Sequence, residues 1–302
     1  MTTIPGDGLP GAAVPPMVCA RMGDRVDLFD VRRLPVWLVV GVLVCHVGLS
    51  TLINFKLFDR SWLLHLAGVT DGWLSGTLVA NLLLLVLMVG IGLCAIGGAR
   101  PADLGLRARQ LPVAIGVTVA MWVLLQIVAG VVAIADDGFA PGKPWLRPHA
   151  QLVALVGQLF GNALYEEVLF RGCLTVQIAR WLTAPGQRPA RRAVVVAVLL
   201  SALVFALQHA PNRLAGAGGT VWRDAGEMAI DLALLFVSGI AFAAVYVRTG
   251  NLFVAVGLHT LGNLPLVLCR TPEEVPAATL FVVMVLLLVF GPRLRDGRTP
   301  AG

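Results

Sequence analysis

The chain reads as a succession of long apolar runs, and that feature limits its fold more than any other. The runs fall at about 35–55, 74–98, 111–135, 150–181, 193–210, 228–247, 251–270 and 276–291. Each is close to the ~20 residues that a helix needs to cross a bilayer. In lipid every backbone N–H and C=O must be satisfied within the protein, which leaves helices or a closed barrel. Barrel strands alternate apolar and polar residues with period two, and these runs do not. The expected fold is therefore all-α: a polytopic bundle of about eight transmembrane helices. Composition agrees, with 58% apolar and only 13% charged residues in a chain of 302. A soluble protein carries about 25% charged residues, so a water-facing exterior over most of this chain is excluded. Intrinsic disorder is excluded on the same grounds everywhere but the ends.

Three regions are expected. Residues 1–34 are rich in Gly, Pro and Asp and contain no signal-peptide core before Pro35, so they read as a mobile cytoplasmic tail. Residues 35–292 form the transmembrane domain, and 293–302 a short cytoplasmic tail. The formal net charge is +6, carried by 23 Lys and Arg, of which all but Lys56 and Lys143 are Arg. These residues sit in short loops between apolar runs, so they read as topology signals rather than as a nucleic-acid surface. With eight spans, 15 basic loop residues share one side with both termini and 7 lie opposite. That bias predicts both termini in the cytoplasm. The five cysteines include no CxxC pair and read as small apolar residues, with neither a disulfide framework nor a metal ribbon.

The informative residues are the ionisable ones inside the runs. A charge at the bilayer centre costs about 2.5–3.5 kcal/mol even on a lenient insertion scale, so such residues are functional candidates by default. The fourth run holds Glu166-Glu167-Val168-Leu169-Phe170-Arg171, the fifth ends Phe205-Ala206-Leu207-Gln208-His209, and the seventh holds His259-Thr260-Leu261-Gly262-Asn263. On a helix Glu167 and Arg171 share a face and can pair. Glu166 is turned about 100° away, which leaves its carboxylate for another task. Phe205 shares a face with His209, and His259 with Asn263.

A carboxylate in a low-dielectric pocket suits a general base. Two imidazoles and an amide can orient water or stabilise an oxyanion. Glu166, His209 and His259 could equally hold zinc or another divalent metal, since two His and a carboxylate form a known ligand set. The HExxH spacing is absent. At this point a Glu-activated water and a metal-bound water both stand. So does a structural reading, in which the Glu-Glu-Arg cluster is only an intramembrane ion pair.

These three patterns resemble the CPBP family, the CAAX proteases and bacteriocin-processing enzymes also called Abi, to which type II CAAX prenyl endopeptidases belong. The family's motifs are EExxxR, FxxxH and HxxxN, and all three occur here in order over about residues 150–270. The turn Arg248-Thr249-Gly250-Asn251-Leu252 is also similar to the family's. The resemblance implies an intramembrane endopeptidase acting on a peptide or membrane-associated protein that enters from membrane or cytoplasm. Carried over, Glu166 is the general base and His209 helps position the water. His259 and Asn263 face the developing negative charge, with Glu167 and Arg171 as the supporting pair beside Phe205. It implies no certain cofactor, with zinc or another divalent metal as the option. The excess of Arg over Lys and the many Ala and Val point to a GC-rich genome and a bacterial cytoplasmic membrane. In that setting, processing of a peptide or membrane protein is favoured over prenyl-protein cleavage. The competing reading is a non-catalytic membrane scaffold or regulator that retains the motif residues.

Overall fold

The computed structural model describes residues 28–57, 61–136, 138, 140–211 and 225–295. The expected N-terminal tail up to residue 27, the end of the expected C-terminal tail from 296, and the loop arginines Arg213 and Arg223 lie outside the described residues. Helix accounts for 80% of the described residues and none of them forms a strand. Together with its apolar helices, this makes the chain an integral membrane protein.

In chain order the elements are α1 (Val36–Leu52, followed by a π-helical stretch Ile53–Leu57), α2 (Ser61–Val69) and α3 (Gly76–Leu84, continuing as a π-helix Leu85–Ile96). Then come α4 (Leu111–Asp136), α5 (Lys143–Leu146) and α6 (Pro148–Val156). From α6 one rod runs on through a π-helix (Gly157–Ala163), α7 (Leu164–Glu166), a second π-helix (Glu167–Thr175) and α8 (Val176–Trp181). The series closes with α9 (Arg191–Leu207), α10 (Ala225–Thr249), α11 (Leu252–Asn263) and α12 (Glu274–Arg295).

Among the described residues five stretches are long and apolar enough to cross a membrane: Gly76–Ile96, Ala108–Asp136, Pro148–Trp181, Ala225–Thr249 and Glu274–Gly291. The expected count of eight therefore reduces to five full-length candidates. The other three expected spans contain shorter helices. Val36–Leu52 and Arg191–Leu207 have 17 residues each, and Leu252–Asn263 has 12. The last is the largest departure. Counting apolar residues carried the seventh run to 270, but the helix stops at Asn263. Pro265 disfavours a helical residue before it, and Leu264 is accordingly non-helical with φ −144° and ψ 84°. Leu266 takes a left-handed φ of 50°. At 1.5 Å per residue α11 is only about 18 Å long, and its buried residues run from Leu252 to Leu261.

Packing explains why α11 can be short. It lies inside the bundle against α4, α10, α12 and the π-helix Gly157–Ala163. Its entry is fixed locally. Gly250, with φ 67°, turns the chain after α10, and the Asn251 side chain accepts from the Phe253 N–H at 3.0 Å. The same side chain donates to the Gln110 carbonyl at 2.9 Å, tying the turn to the start of α4. Gly257 marks the closest approach, since a Cβ there would overlap the Thr118 side chain on α4. Elsewhere the outward side chains are apolar and exposed, as at Trp37, Val131 and Ile134. That is the expected face of a helix that meets lipid.

Candidate active site

The Glu-Glu-Arg segment lies at the junction of α7 and the second π-helix. Single turns of π-helix are rare and concentrate at functional sites. Within this stretch the Thr175 hydroxyl donates to the Phe170 carbonyl, five residues earlier, at 2.9 Å. Ser201 on α9 donates to the same carbonyl at 2.9 Å. Thus the motif segment is anchored to α9, which carries the second motif.

Every residue from Tyr165 to Thr175 is buried. Glu167 and Arg171 form an ion pair among them. The Arg171 guanidinium lies 3.3 Å from Oε1 of Glu167, and both side chains are within 1% of complete burial. Arg171 is further enclosed by rings, 4.1 Å from the centre of Phe205 and 5.3 Å from that of Phe242. Cation–π contacts of this kind offset part of the cost of removing the charge from water.

The three motifs meet around Glu166. Oε1 of Glu166 is 3.8 Å from Nε2 of His209, and Oε2 is 3.7 Å from Nε2 of His259. Each imidazole is anchored through its other nitrogen. His209 donates from Nδ1 to the Phe205 carbonyl at 2.8 Å. His259 donates from Nδ1 to the Glu167 carboxylate at 2.8 Å. Because a carbonyl and a carboxylate only accept, the protons sit on Nδ1. Each ring then turns its Nε2 toward Glu166. Separations of 3.7–3.8 Å are too long for direct hydrogen bonds and are spans that one water bridges. Aromatic rings hold the orientation. Phe205 packs edge-on to His209 at 4.9 Å, and Phe242 stacks on His259 at 4.8 Å and 13°.

A polar cavity of about 210 Å³ opens beside this cluster, lined in part by His46, Asn81, Asn162, Glu166 and His209. Asn263 lies elsewhere. Its amide donates to Oε1 of Gln158 at 3.2 Å, and it lines a second cavity of about 720 Å³ with Phe242, Leu258 and Lys143. The structure therefore gathers Glu166, Glu167, Arg171, Phe205, His209 and His259 into one contiguous group and sets Asn263 at the wall of a neighbouring space. Phe242 and Tyr165 have no sequence signal that separates them from ordinary core aromatics. His46 does have one, as the lone histidine of the first run.

The donor chemistry of Glu166, His209 and His259 resembles a metal site, since both imidazoles are fixed through Nδ1 as ligating histidines are. The spacing does not fit. Ligands about 2.0–2.1 Å from one tetrahedral zinc lie roughly 3.3 Å apart, less than either separation here. Among the described residues no group of three His, Cys, Asp or Glu is arranged to hold a metal ion.

A family model described as "Rce1-like: Type II CAAX prenyl endopeptidase Rce1-like" matches residues 148–265. That stretch contains all three motifs and is consistent with the CPBP group of CAAX proteases. No curated protein and no solved structure matches the chain.

Proposed function

We propose, with the protease-family match of residues 148–265 as the premise, that the chain is an intramembrane endopeptidase in which Glu166 activates water. The observation that carries this reading is the pair of anchored imidazoles turned on one carboxylate. Glu166 takes a proton from water while His209 Nε2 accepts the other hydrogen and fixes the direction of attack. The hydroxide oxygen bonds to the scissile carbonyl carbon, and the C=O π pair moves onto oxygen. In its doubly protonated form His259, whose Nδ1–H is held by the Glu167 carboxylate, donates Nε2–H to that oxyanion. Asn263, to which the resemblance gives the same task, faces the larger cavity and takes no part in this step. When the C–N bond breaks, the oxyanion pair re-forms C=O and the proton on Glu166 passes to the leaving nitrogen. One new carboxyl and one new amine result, and Glu166 is again a carboxylate.

The substrate is a peptide or membrane-associated protein, the membrane is a bacterial cytoplasmic membrane, and both termini face the cytoplasm. The test is turnover of purified protein in proteoliposomes against fluorogenic reporters. Some carry a farnesylated cysteine near the C-terminus and others are the same peptides without the lipid. Cleavage of the unlipidated set is expected. Glu166→Gln should lower kcat by about 10²–10⁴-fold, the usual worth of a general base. Undiminished turnover in that variant would sink the mechanism. Metal analysis of the active sample separates a Glu-activated water from a metal-bound one.

A second reading, the non-catalytic scaffold or regulator, is favoured by one observation. Asn263 engages Gln158 and lines a different cavity from Glu166 and His209. It predicts that His209→Ala and His259→Ala lower thermal stability while no reporter is cleaved by any form of the protein.

A further inference from the structure

The first helix reaches the site from outside the family-matched residues. His46 is buried in α1 and lines the same cavity as Glu166 and His209. Both of its ring nitrogens are engaged. Nε2 meets the Gln208 side-chain oxygen, and Nδ1 lies 2.7 Å from the Tyr165 hydroxyl. The amide oxygen can only accept, so Nε2 carries the proton and Nδ1 accepts from Tyr165. These two partners are not arbitrary. Tyr165 directly precedes Glu166, and Gln208 directly precedes His209. One imidazole therefore spans the two segments that carry the carboxylate and the first catalytic histidine. All three side chains of the bridge are buried, with Tyr165 at 1% exposure and Gln208 at 8%. Phe170 adds a ring contact to His46 at 6.0 Å.

We propose that His46 is a positioning residue: its Tyr165 and Gln208 hydrogen bonds clamp α7 to the end of α9 and so fix the Glu166–His209 separation. This rests on the endopeptidase reading and deepens it, giving α1 a role in the reaction. In a low-dielectric site each bond of such a bridge is stronger than in water, and leaving one buried end unpaired is costly. A shift of about 1 Å at the carboxylate is enough to cost ~10²-fold in rate.

The experiment measures kcat and KM separately in proteoliposomes with whichever peptide reporter the wild type cleaves. His46→Leu removes both bonds and should lower kcat by about 10–100-fold, the usual effect of losing a group that orients a catalytic one. KM should stay within about twofold. Asn places a polar atom near the Nδ1 position and Gln near the Nε2 position. His46→Asn and His46→Gln should thus each retain one bond and give intermediate kcat values. Tyr165→Phe removes one hydroxyl and leaves the ring in place, which keeps the test alive if His46→Leu does not fold. In the double variant His46→Leu/Tyr165→Phe the effects should not add, because both changes cut the same link. Unchanged kcat in Tyr165→Phe and His46→Asn, with Glu166→Gln inactive, would overturn the clamp and leave the protease reading intact. Additive losses, or a loss confined to KM, would overturn it too. Absence of cleavage by the wild type would instead remove the underlying reading.

Discussion

Replacing Glu167 by Gln tests whether the buried ion pair is held by charge or by shape. Gln keeps the size of Glu and an oxygen that can still accept from His259 Nδ1, now at 2.8 Å from the carboxylate. What it removes is the countercharge of a guanidinium that is 1% exposed. Orphaning one member of a buried pair typically costs about 3–5 kcal/mol. Here the loss should fall at the lower end, about 3 kcal/mol, because the Phe205 and Phe242 rings flank Arg171 and a desolvated cation–π contact contributes about 2 kcal/mol. Arg171→Met in the Glu167→Gln background removes the orphaned charge, so the double variant should regain most of the loss. Reversible denaturant unfolding in detergent, followed by tryptophan fluorescence, gives the four free energies of the cycle. If the single Glu167→Gln variant is as stable as wild type, the pair is not a coupled buried charge. If the double variant is less stable than the single, the rings and the packing matter more than the countercharge.

Three further outcomes follow from particular contacts. Gly257→Ala pushes a Cβ into Thr118, whose β-branched side chain is stiff; unfolding should show a loss of about 1–3 kcal/mol, partly restored by Thr118→Ala. Asn251→Ala deletes both the α11 cap and the bond to Gln110 and should cost about 1–2 kcal/mol, with faster amide exchange at Phe253 as its local signature. Phe205→Leu keeps an apolar side chain but removes the ring beside His209 and over Arg171; a thermal melt should show lower stability, and reporter turnover should fall more than the same loss in Gly257→Ala produces.

The sequence was legible where period and polarity agree. Apolar runs without period two located the helices, and an i,i+4 spacing foretold the Glu167–Arg171 pair and the Phe205–His209 contact. Helix ends were less legible, because Leu264–Leu268 is as apolar as a span. Only Pro265 betrays that it is not helical. The neighbourhood of the site was legible in part. A lone histidine in the first run signals a buried polar contact, but nothing along the chain says that its partners adjoin Glu166 and His209. Long-range pairing of that kind depends on how α1 docks, which apolar spacing leaves free. Asn263 exposes the same limit. Two residues four apart share a face of the helix, yet His259 turns its ring to Glu166 and Glu167 while Asn263 meets Gln158 at the larger cavity.

The π-helix explains why turning angles alone could not finish the site. An angle of 100° per residue assumes i→i+4 bonds, whereas Glu167–Thr175 runs on an i→i+5 ladder. In the wider winding the Phe170 carbonyl receives hydroxyls from Thr175 and from Ser201 on α9. Those side-chain donors supply hydrogen bonds where lipid could not, and one of them bridges to the helix that ends at His209. Removing both hydroxyls tests whether they hold the wide turn. In Thr175→Val/Ser201→Ala the carbonyl loses both hydroxyls, and the segment is expected to relax toward an i→i+4 ladder. Arg171 would then rotate relative to Glu166, so turnover should fall while the Glu167–Arg171 pairing, an i,i+4 contact compatible with either winding, persists. Activity equal to wild type in that variant would show that the wide turn is incidental to how Glu166 meets its histidines.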